Sequence, residues 1–266
     1  EISLGLVGSE MCIRDSCVAD ALSVGYRMID TAQAYHNQEG VGNAVRKSGI
    51  DRKEVFLVSK VWISNYGYEK AKASIDESLR KLQTDYIDLM LLHQPFCDRY
   101  GAYRALEEAY KEGKLRAIGV SNFYPDHFID IASNMEIVPA VNQVETHVFD
   151  QQIEPQKIME EFGTRIMSWA PFAEGRNNFF TNPLLAEIGH KYGKSVAQIA
   201  LRWLIQRGVI IIPKSTHVER MQQNIDIFDF ALSDEDMASI ATLDTGRSLF
   251  FDHHDAETAR MFMGWR

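Results

Sequence analysis

The sequence predicts a parallel α/β barrel, and three observations predict it. Strand-like and helix-like runs alternate without a long break from residue 17 onward, as in a sheet whose strands are joined by helical crossovers. The run Ile87–His93 is almost continuously apolar, the mark of a strand covered on both faces. Polar residues stand at the ends of nearly every strand, and no G-x-G-x-x-G follows the first strands. That pattern favours a closed (β/α)8 barrel over an open doubly wound sheet with one switch point.

The elements follow in order. Cys17–Val24 reads as the end of a helix and Tyr26–Asp30 as a strand; Gln38–Lys47 is a helix and Val55–Val61 a strand. Tyr68–Lys81 is an amphipathic helix, with Ala71, Ile75, Ser78 and Leu79 on one face at 3-4 spacing. After Ile87–His93 come a helix over Tyr103–Lys111 stopped by Gly113, a strand over Ala117–Val120, a helix over Asp126–Ala132 and a strand over Val138–Val144. Pro155–Phe162 is a helix ended at Gly163, and Arg165–Trp169 a strand. Leu184–Tyr192 and Val196–Gln206 are helices, the second with Ser195 as its N-cap. Val209–Ile212 is a strand and Val218–Phe228 a helix. Ser233-Asp234-Glu235-Asp236 opens a last helix, its acids placed favourably at the N-terminus. These make seven strands; the doubtful first one would lie around Leu4-Gly5-Leu6.

The bulk numbers bound the class. At 266 residues the chain fits one barrel domain spanning 1–266. A net charge of −9 argues against a nucleic-acid binder. No apolar run reaches membrane-spanning length, and no basic segment precedes an apolar one as in a secretory leader. Cys12, Cys17 and Cys97 are too few and odd in number for a disulfide framework. The expectation is a cytoplasmic protein, monomeric, with no membrane or nucleic-acid partner. The run Val7–Ser16 shows neither strand nor helix period and resembles translated adapter DNA; residues 7–16 are set aside as candidate foreign sequence.

The chemistry sits at three successive strand ends. Met28-Ile29-Asp30 ends in an acid with Tyr35 five residues on, Val55–Lys60 ends in an ammonium, and Ile87–His93 in an imidazole. Each residue alone has an ordinary explanation as a cap, packing or a hydrogen-bonded core histidine. Together, in one barrel mouth, they form a set. A phenol has a pKa near 10, and a neighbouring ammonium favours phenolate and is expected to lower that value. Asp30 would hold Lys60 by a buried ion pair, Tyr35 would protonate a carbonyl oxygen, and His93 would orient it or relay the proton. No serine sits in a nucleophile elbow, so this is electrophilic assistance that needs an electron donor from elsewhere.

With these residues in view, the chain resembles the aldo-keto reductase family, in its bacterial short C-terminus, 2,5-diketo-gluconate reductase-like form. The resemblance rests on Gly25-Tyr26-Arg27-Met28-Ile29-Asp30-Thr31-Ala32, Leu91-Leu92-His93-Gln94-Pro95, Ile118-Gly119-Val120-Ser121-Asn122-Phe123 and Ile212-Pro213-Lys214-Ser215, in family order. It implies that Asp30, Tyr35, Lys60 and His93 are a catalytic tetrad and that NADPH supplies the hydride. It further implies that Ser121, Asn122 and Gln143 hydrogen-bond the nicotinamide carboxamide and that Trp169 stacks on the ring. Lys214, Ser215 and Arg220 would hold the adenosine 2′-phosphate, with Gln223 and Asn224 at the adenine. Cations at a helix N-terminus make an anion site on physical grounds as well. Gln223 stands where many members carry Glu, so that clamp is weakened. The family's N-terminal β-hairpin is absent from this sequence, and the turn after the first strand is replaced by the run before Cys17.

Trp62, two residues after Lys60, should point into the same mouth, and Phe172 follows the stacking Trp169; both are candidate substrate-pocket residues. The aromatic tail from Ser248 to Trp265 either lies over the pocket or packs on the barrel. His253-His254 is rejected as a metal pair, because adjacent residues point apart and no carboxylate–histidine set accompanies them in sequence. The resemblance implies small aldehydes, dicarbonyls or keto-sugar acids as substrates. The competing readings are a catalytically impaired NADPH-binding barrel module, a Schiff-base barrel enzyme built on Lys60, and a metal-dependent hydrolase.

Overall fold

The computed structural model describes residues 3–5 and 11–266. Eight parallel strands form one sheet in chain order: β1 (Ser3–Gly5), β2 (Met28–Asp30), β3 (Phe56–Val61), β4 (Leu89–Leu92), β5 (Ile118–Ser121), β6 (Val141–Glu145), β7 (Arg165–Trp169) and β8 (Ile210–Ile211). The helices are α1 (Met11–Ser23), α2 (Gln38–Lys47), α3 (Tyr68–Leu82), α4 (Arg99–Lys111), α5 (Pro125–Asn134), α6 (Ile153–Glu161), α7 (Pro183–Tyr192), α8 (Val196–Gln206), α9 (Val218–Ile225), α10 (Asp234–Ala241) and α11 (Ala256–Gly264). This is the (β/α)8 architecture expected from the alternation.

The period-2 alternation of the strands divides the core in two. Met28, Val58, Leu89, Leu91, Val141, Met167 and Ile212 fill the barrel interior. Ile29, Leu57, Met90, Leu92, Val120 and Ile166 face outward into the larger layer shared with the helices. Interior space is tight at Gly119, where an added Cβ would stand 2.3 Å from the Val141 carbonyl oxygen and 2.9 Å from Leu91. The same alternation sets the chemistry. Asp30 follows Met28, Lys60 follows Val58, His93 follows Leu91 and Gln143 follows Val141, each two residues further toward the C-terminal mouth.

Several sequence readings change: α4 starts at Arg99 rather than Tyr103, and α9 ends at Ile225 rather than Phe228. The doubtful first strand is present as Ser3–Gly5, paired in parallel with β2. Residues 11–16 of the aperiodic run lie in α1, while residues 7–10 lie outside the described residues. β6 starts at Val141 rather than Val138, since Pro139 has no N–H to donate and the ladder opens only where Ala140 N donates to Ile118 O at 2.8 Å. The helix capped by Ser233 is followed by another, α11, whose Asp255 cap accepts from Thr258 N at 2.9 Å.

Candidate active site

Lys60 and Asp30 form the centre of the barrel mouth. Their side chains are 0% and 1% exposed, and Lys60 Nζ donates to Asp30 Oδ1 at 2.5 Å. It also donates to the Thr31 carbonyl at 2.9 Å and hydrogen-bonds the Tyr35 phenol. An ammonium has three donors and no acceptor, so this set uses all three. Asp30 Oδ2 accepts from Gln143 Nε2 at 2.8 Å, which satisfies the second oxygen of a buried carboxylate.

Tyr35 sits on the 3-10 turn Gln33–Tyr35, closed by His36 in the left-handed region (φ 52°). Gln33, which the sequence reading passed over, staples that turn. Its Nε2 donates to Ser74 O and Ser78 Oγ, both at 3.1 Å. Its Oε1 accepts from Trp62 N and Asn65 Nδ2, both at 2.9 Å. The turn is thereby fixed to the strand that carries Lys60.

Electrostatics correct one expectation. Burial pushes the Tyr35 phenol above its ordinary value, outweighing the lowering by the Lys60 charge and hydrogen bond; the Asp30 charge also raises it. The sequence argument counted the ammonium and omitted desolvation of the phenolate. Tyr35 is therefore fully protonated at neutral pH. Its oxygen accepts from Lys60, so its own proton is directed to another acceptor. Burial alone would lower Lys60, but the charges and hydrogen bonds of Asp30 and Tyr35 together raise it. His93 is held well below its usual value by burial, then by the charges of Lys60 and His253, and is neutral. Its Nδ1 is buried without a hydrogen-bond partner. Its ring packs edge-on against Tyr35 (5.7 Å between centroids) and Trp62 (5.1 Å).

Tyr35, His93 and Trp62 line a cavity of about 1040 Å³ that also takes in Ser121, Asn122, Gln143, Trp169, Phe172 and Lys214, while Lys60 and Asp30 lie buried behind it. Asn122 is left-handed (φ 63°); its Nδ2 donates to the His93 carbonyl at 3.0 Å and its Oδ1 accepts from Trp169 Nε1 at 2.9 Å. Ser121 Oγ donates to the Gln143 carbonyl at 2.8 Å. A planar aromatic ligand beside Trp169 would meet a graded wall of amide, hydroxyl and imidazole, and the volume leaves room for a second small molecule. The set suits a nicotinamide ring, with one departure: the Gln143 amide nitrogen already serves Asp30.

The expected phosphate and adenine residues lie around α9. Arg220 and Gln223 are exposed. Ser215 Oγ closes a local turn, donating to His217 O and accepting from His217 N. Asn224 is buried and hydrogen-bonded to Tyr26, which gives it a packing role in this structure.

The aromatic tail lies over the pocket. Phe250, Phe251, His253, Phe262 and Trp265 line the cavity, with Phe250 edge-on to Trp169 at 5.2 Å and Trp265 beside Trp62 at 6.3 Å. Glu145 holds its start, accepting from Ser248 Oγ at 2.5 Å and Leu249 N at 2.7 Å. His253 and His254 point apart, as their adjacency implies. His253 Nε2 meets Gln94 Oε1 at 2.8 Å, while His254 Nε2 meets Asp126 Oδ1 at 3.0 Å. In space, Asp126 and His127 stand with His254, a grouping that spacing along the sequence does not show.

Comparison with known proteins agrees with the geometry. The sequence pattern of the Aldo/keto reductase family matches residues 13–245. The chain is 47% identical over 227 residues to a glyoxal reductase of Bacillus subtilis (strain 168), covering 85% of this chain and 82% of that protein. It is 39% identical over 272 residues to a morphine 6-dehydrogenase of Pseudomonas putida, covering 97% and 92%. Among solved structures, MGS-M4, an aldo-keto reductase from a Medee basin deep-sea metagenome library, superposes with a TM-score of 0.93 at 41% identity, covering 96% of this chain and 95% of that one. An aldo-keto reductase of Bombyx mori in complex with NADP superposes with a TM-score of 0.87 at 32% identity, covering 97% and 92%. The chain belongs to the aldo/keto reductase family.

Proposed function

We propose that Tyr35 is the proton donor of this NADPH-dependent carbonyl reductase, with Lys60 and Asp30 as its electrostatic support and His93 as the group that orients the carbonyl. The observation that carries this reading is the Lys60 donor set: Asp30, Thr31 and Tyr35 account for all three of its N–H groups. NADPH, when bound, supplies a hydride to the carbonyl carbon. As negative charge grows on the carbonyl oxygen, Tyr35 gives up its proton, and the phenolate left behind is stabilised by Lys60 at hydrogen-bond distance in a site of low dielectric. Burial keeps the phenol protonated in the resting state, and Lys60 reduces the cost of losing that proton. His93, being neutral, holds the carbonyl by a hydrogen bond without competing as an acid. Lys60 is too firmly protonated to act as a Schiff-base nucleophile.

Ser121, Asn122, Gln143 and Trp169 would hold the nicotinamide end. Lys214, Ser215 and Arg220 would hold the phosphate end, with Gln223 and Asn224 near the adenine. Trp62 and Phe172, with the tail aromatics, form an apolar wall suited to small aldehydes and dicarbonyls, the class named by the glyoxal reductase relative. Cys17 and Cys97 are unbridged, as in a reducing cytoplasm, and no helix among the described residues is long and apolar enough to cross a membrane. The test is NADPH oxidation against a panel of small aldehydes and dicarbonyls, run beside quenching of intrinsic fluorescence by the cofactor. Saturable turnover supports the reading, whereas cofactor binding without turnover overturns it.

A further inference from the structure

The cluster at the start of α5 lies outside the reductase pocket, and none of its members lines that cavity. Asp126 and His127 occupy the first turn of α5 behind Pro125. His254 reaches them from the turn before α11, where its backbone N donates to Asp252 Oδ1 at 2.9 Å. We propose that Asp126, His127 and His254 form a binding site for a divalent transition-metal ion of the zinc class, tying the C-terminal tail to α5.

The donor chemistry fits. Two imidazoles and one carboxylate are a recurrent zinc set that leaves a fourth position for water. The three ligand atoms lie within 4.8 Å of one another. Asp126 Oδ1 is 3.0 Å from His254 Nε2 and 3.7 Å from His127 Nδ1. Ligands bonded at about 2.0–2.2 Å in a tetrahedron stand roughly 3.3–3.5 Å apart, and the two measured edges bracket that separation. An ordinary surface ion pair accounts for Asp126 and His254. It leaves His127 Nδ1 unexplained, because that nitrogen is shielded from solvent and makes no hydrogen bond. The neighbouring cation Arg99 is already paired to Asp130 at 2.7 Å, which limits its repulsion of a metal ion. Tyr124 orients the histidine, its ring edge-on to His254 at 4.8 Å.

The site sits where it can act on the tail. His253, the neighbour of His254, is buried and bonded to Gln94, which directly follows His93, and both His253 and Phe251 line the reductase pocket. An ion at the cluster would therefore brace the wall of the substrate pocket without entering it.

The test is calorimetric titration of the full chain with Zn²⁺ alone, without NADPH or substrate, beside His254→Ala and His127→Gln. His254 is exposed, so its variant keeps the fold, which circular dichroism checks. The expected result is one saturable equivalent in the parent, weakened at least tenfold in each variant. A Co²⁺ titration should show visible absorption of a tetrahedral ion in the parent and not in His254→Ala. The proposal is overturned by no saturable binding in the parent, or by binding unchanged in both variants.

Discussion

Removing the carboxylate from the Lys60–Asp30 pair perturbs the site most cleanly. Asp30→Ala leaves an ammonium with 0% exposure facing only the Thr31 carbonyl and the Tyr35 phenol, and it leaves Gln143 Nε2 with the weak Met167 sulfur acceptor alone. Breaking a buried pair from one side costs about 3–5 kcal/mol, mostly for the charge left behind. At roughly 2–4 °C per kcal/mol for a chain of this size, the melting temperature should fall by roughly 6–20 °C. Lys60→Met on the same background removes the stranded charge, so the double variant should recover most of that loss, since apolar replacement of a whole buried pair is often neutral. Scanning calorimetry of the parent, both single variants and the double variant closes the cycle. An Asp30→Ala protein within about 1 kcal/mol of the parent, or a double variant no more stable than Asp30→Ala, would refute the reasoning that these two charges depend on each other.

Three further outcomes follow from other parts of the structure. Arg220→Ala should weaken NADPH binding by about tenfold or more while leaving NADH little changed, because a charge-assisted hydrogen bond contributes about 1.5–3 kcal/mol; fluorescence titration with both cofactors checks it. Burial, and then the Glu145 charge, raise Asp150 from 3.8 to about 6. Below pH 3.8 it is protonated in both folded and unfolded chains, and above 6 it is ionised in both. Its penalty therefore grows as pH rises between those values, and Asp150→Asn should stabilise the protein by up to about 3 kcal/mol at pH 7.5 and not at all near pH 3.5. Since His93 is held well below 6.5, kcat/KM should show no histidine-like inflection between pH 6 and 7, and a step there lost in His93→Gln would count against a neutral imidazole.

The strand ends were legible because a parallel barrel turns a period-2 pattern into convergence. Asp30, Lys60 and His93 each lie two residues beyond an interior apolar residue, and no long-range knowledge is needed to place them at one mouth. What sequence could not supply was the desolvation that decides Tyr35. The ammonium is visible in the chain, whereas the surroundings of the phenol, with the His93 ring against it, come together only in the fold. Gln33 was illegible for a similar reason, since a loop amide gives no signal until its four partners, two just after β3 and two on α3, are brought together. α11 did carry a readable signal, an Asp255 cap three residues before Thr258, but its helix-facing residues mean little without the pocket they cover. Asp126 and His254 are 128 residues apart, a separation at which spacing rules for metal ligands are silent.

The account rests on a phenol that gives its proton only when a carbonyl takes charge. Single-turnover kinetics of Tyr35→Phe with NADPH and a small aldehyde test this most directly, with cofactor affinity measured on the same sample. The account predicts unchanged NADPH binding and a chemical step slowed by about 10²–10⁴-fold, the usual contribution of a positioned general acid. A variant that binds NADPH normally and reduces the aldehyde at the parent rate would contradict it.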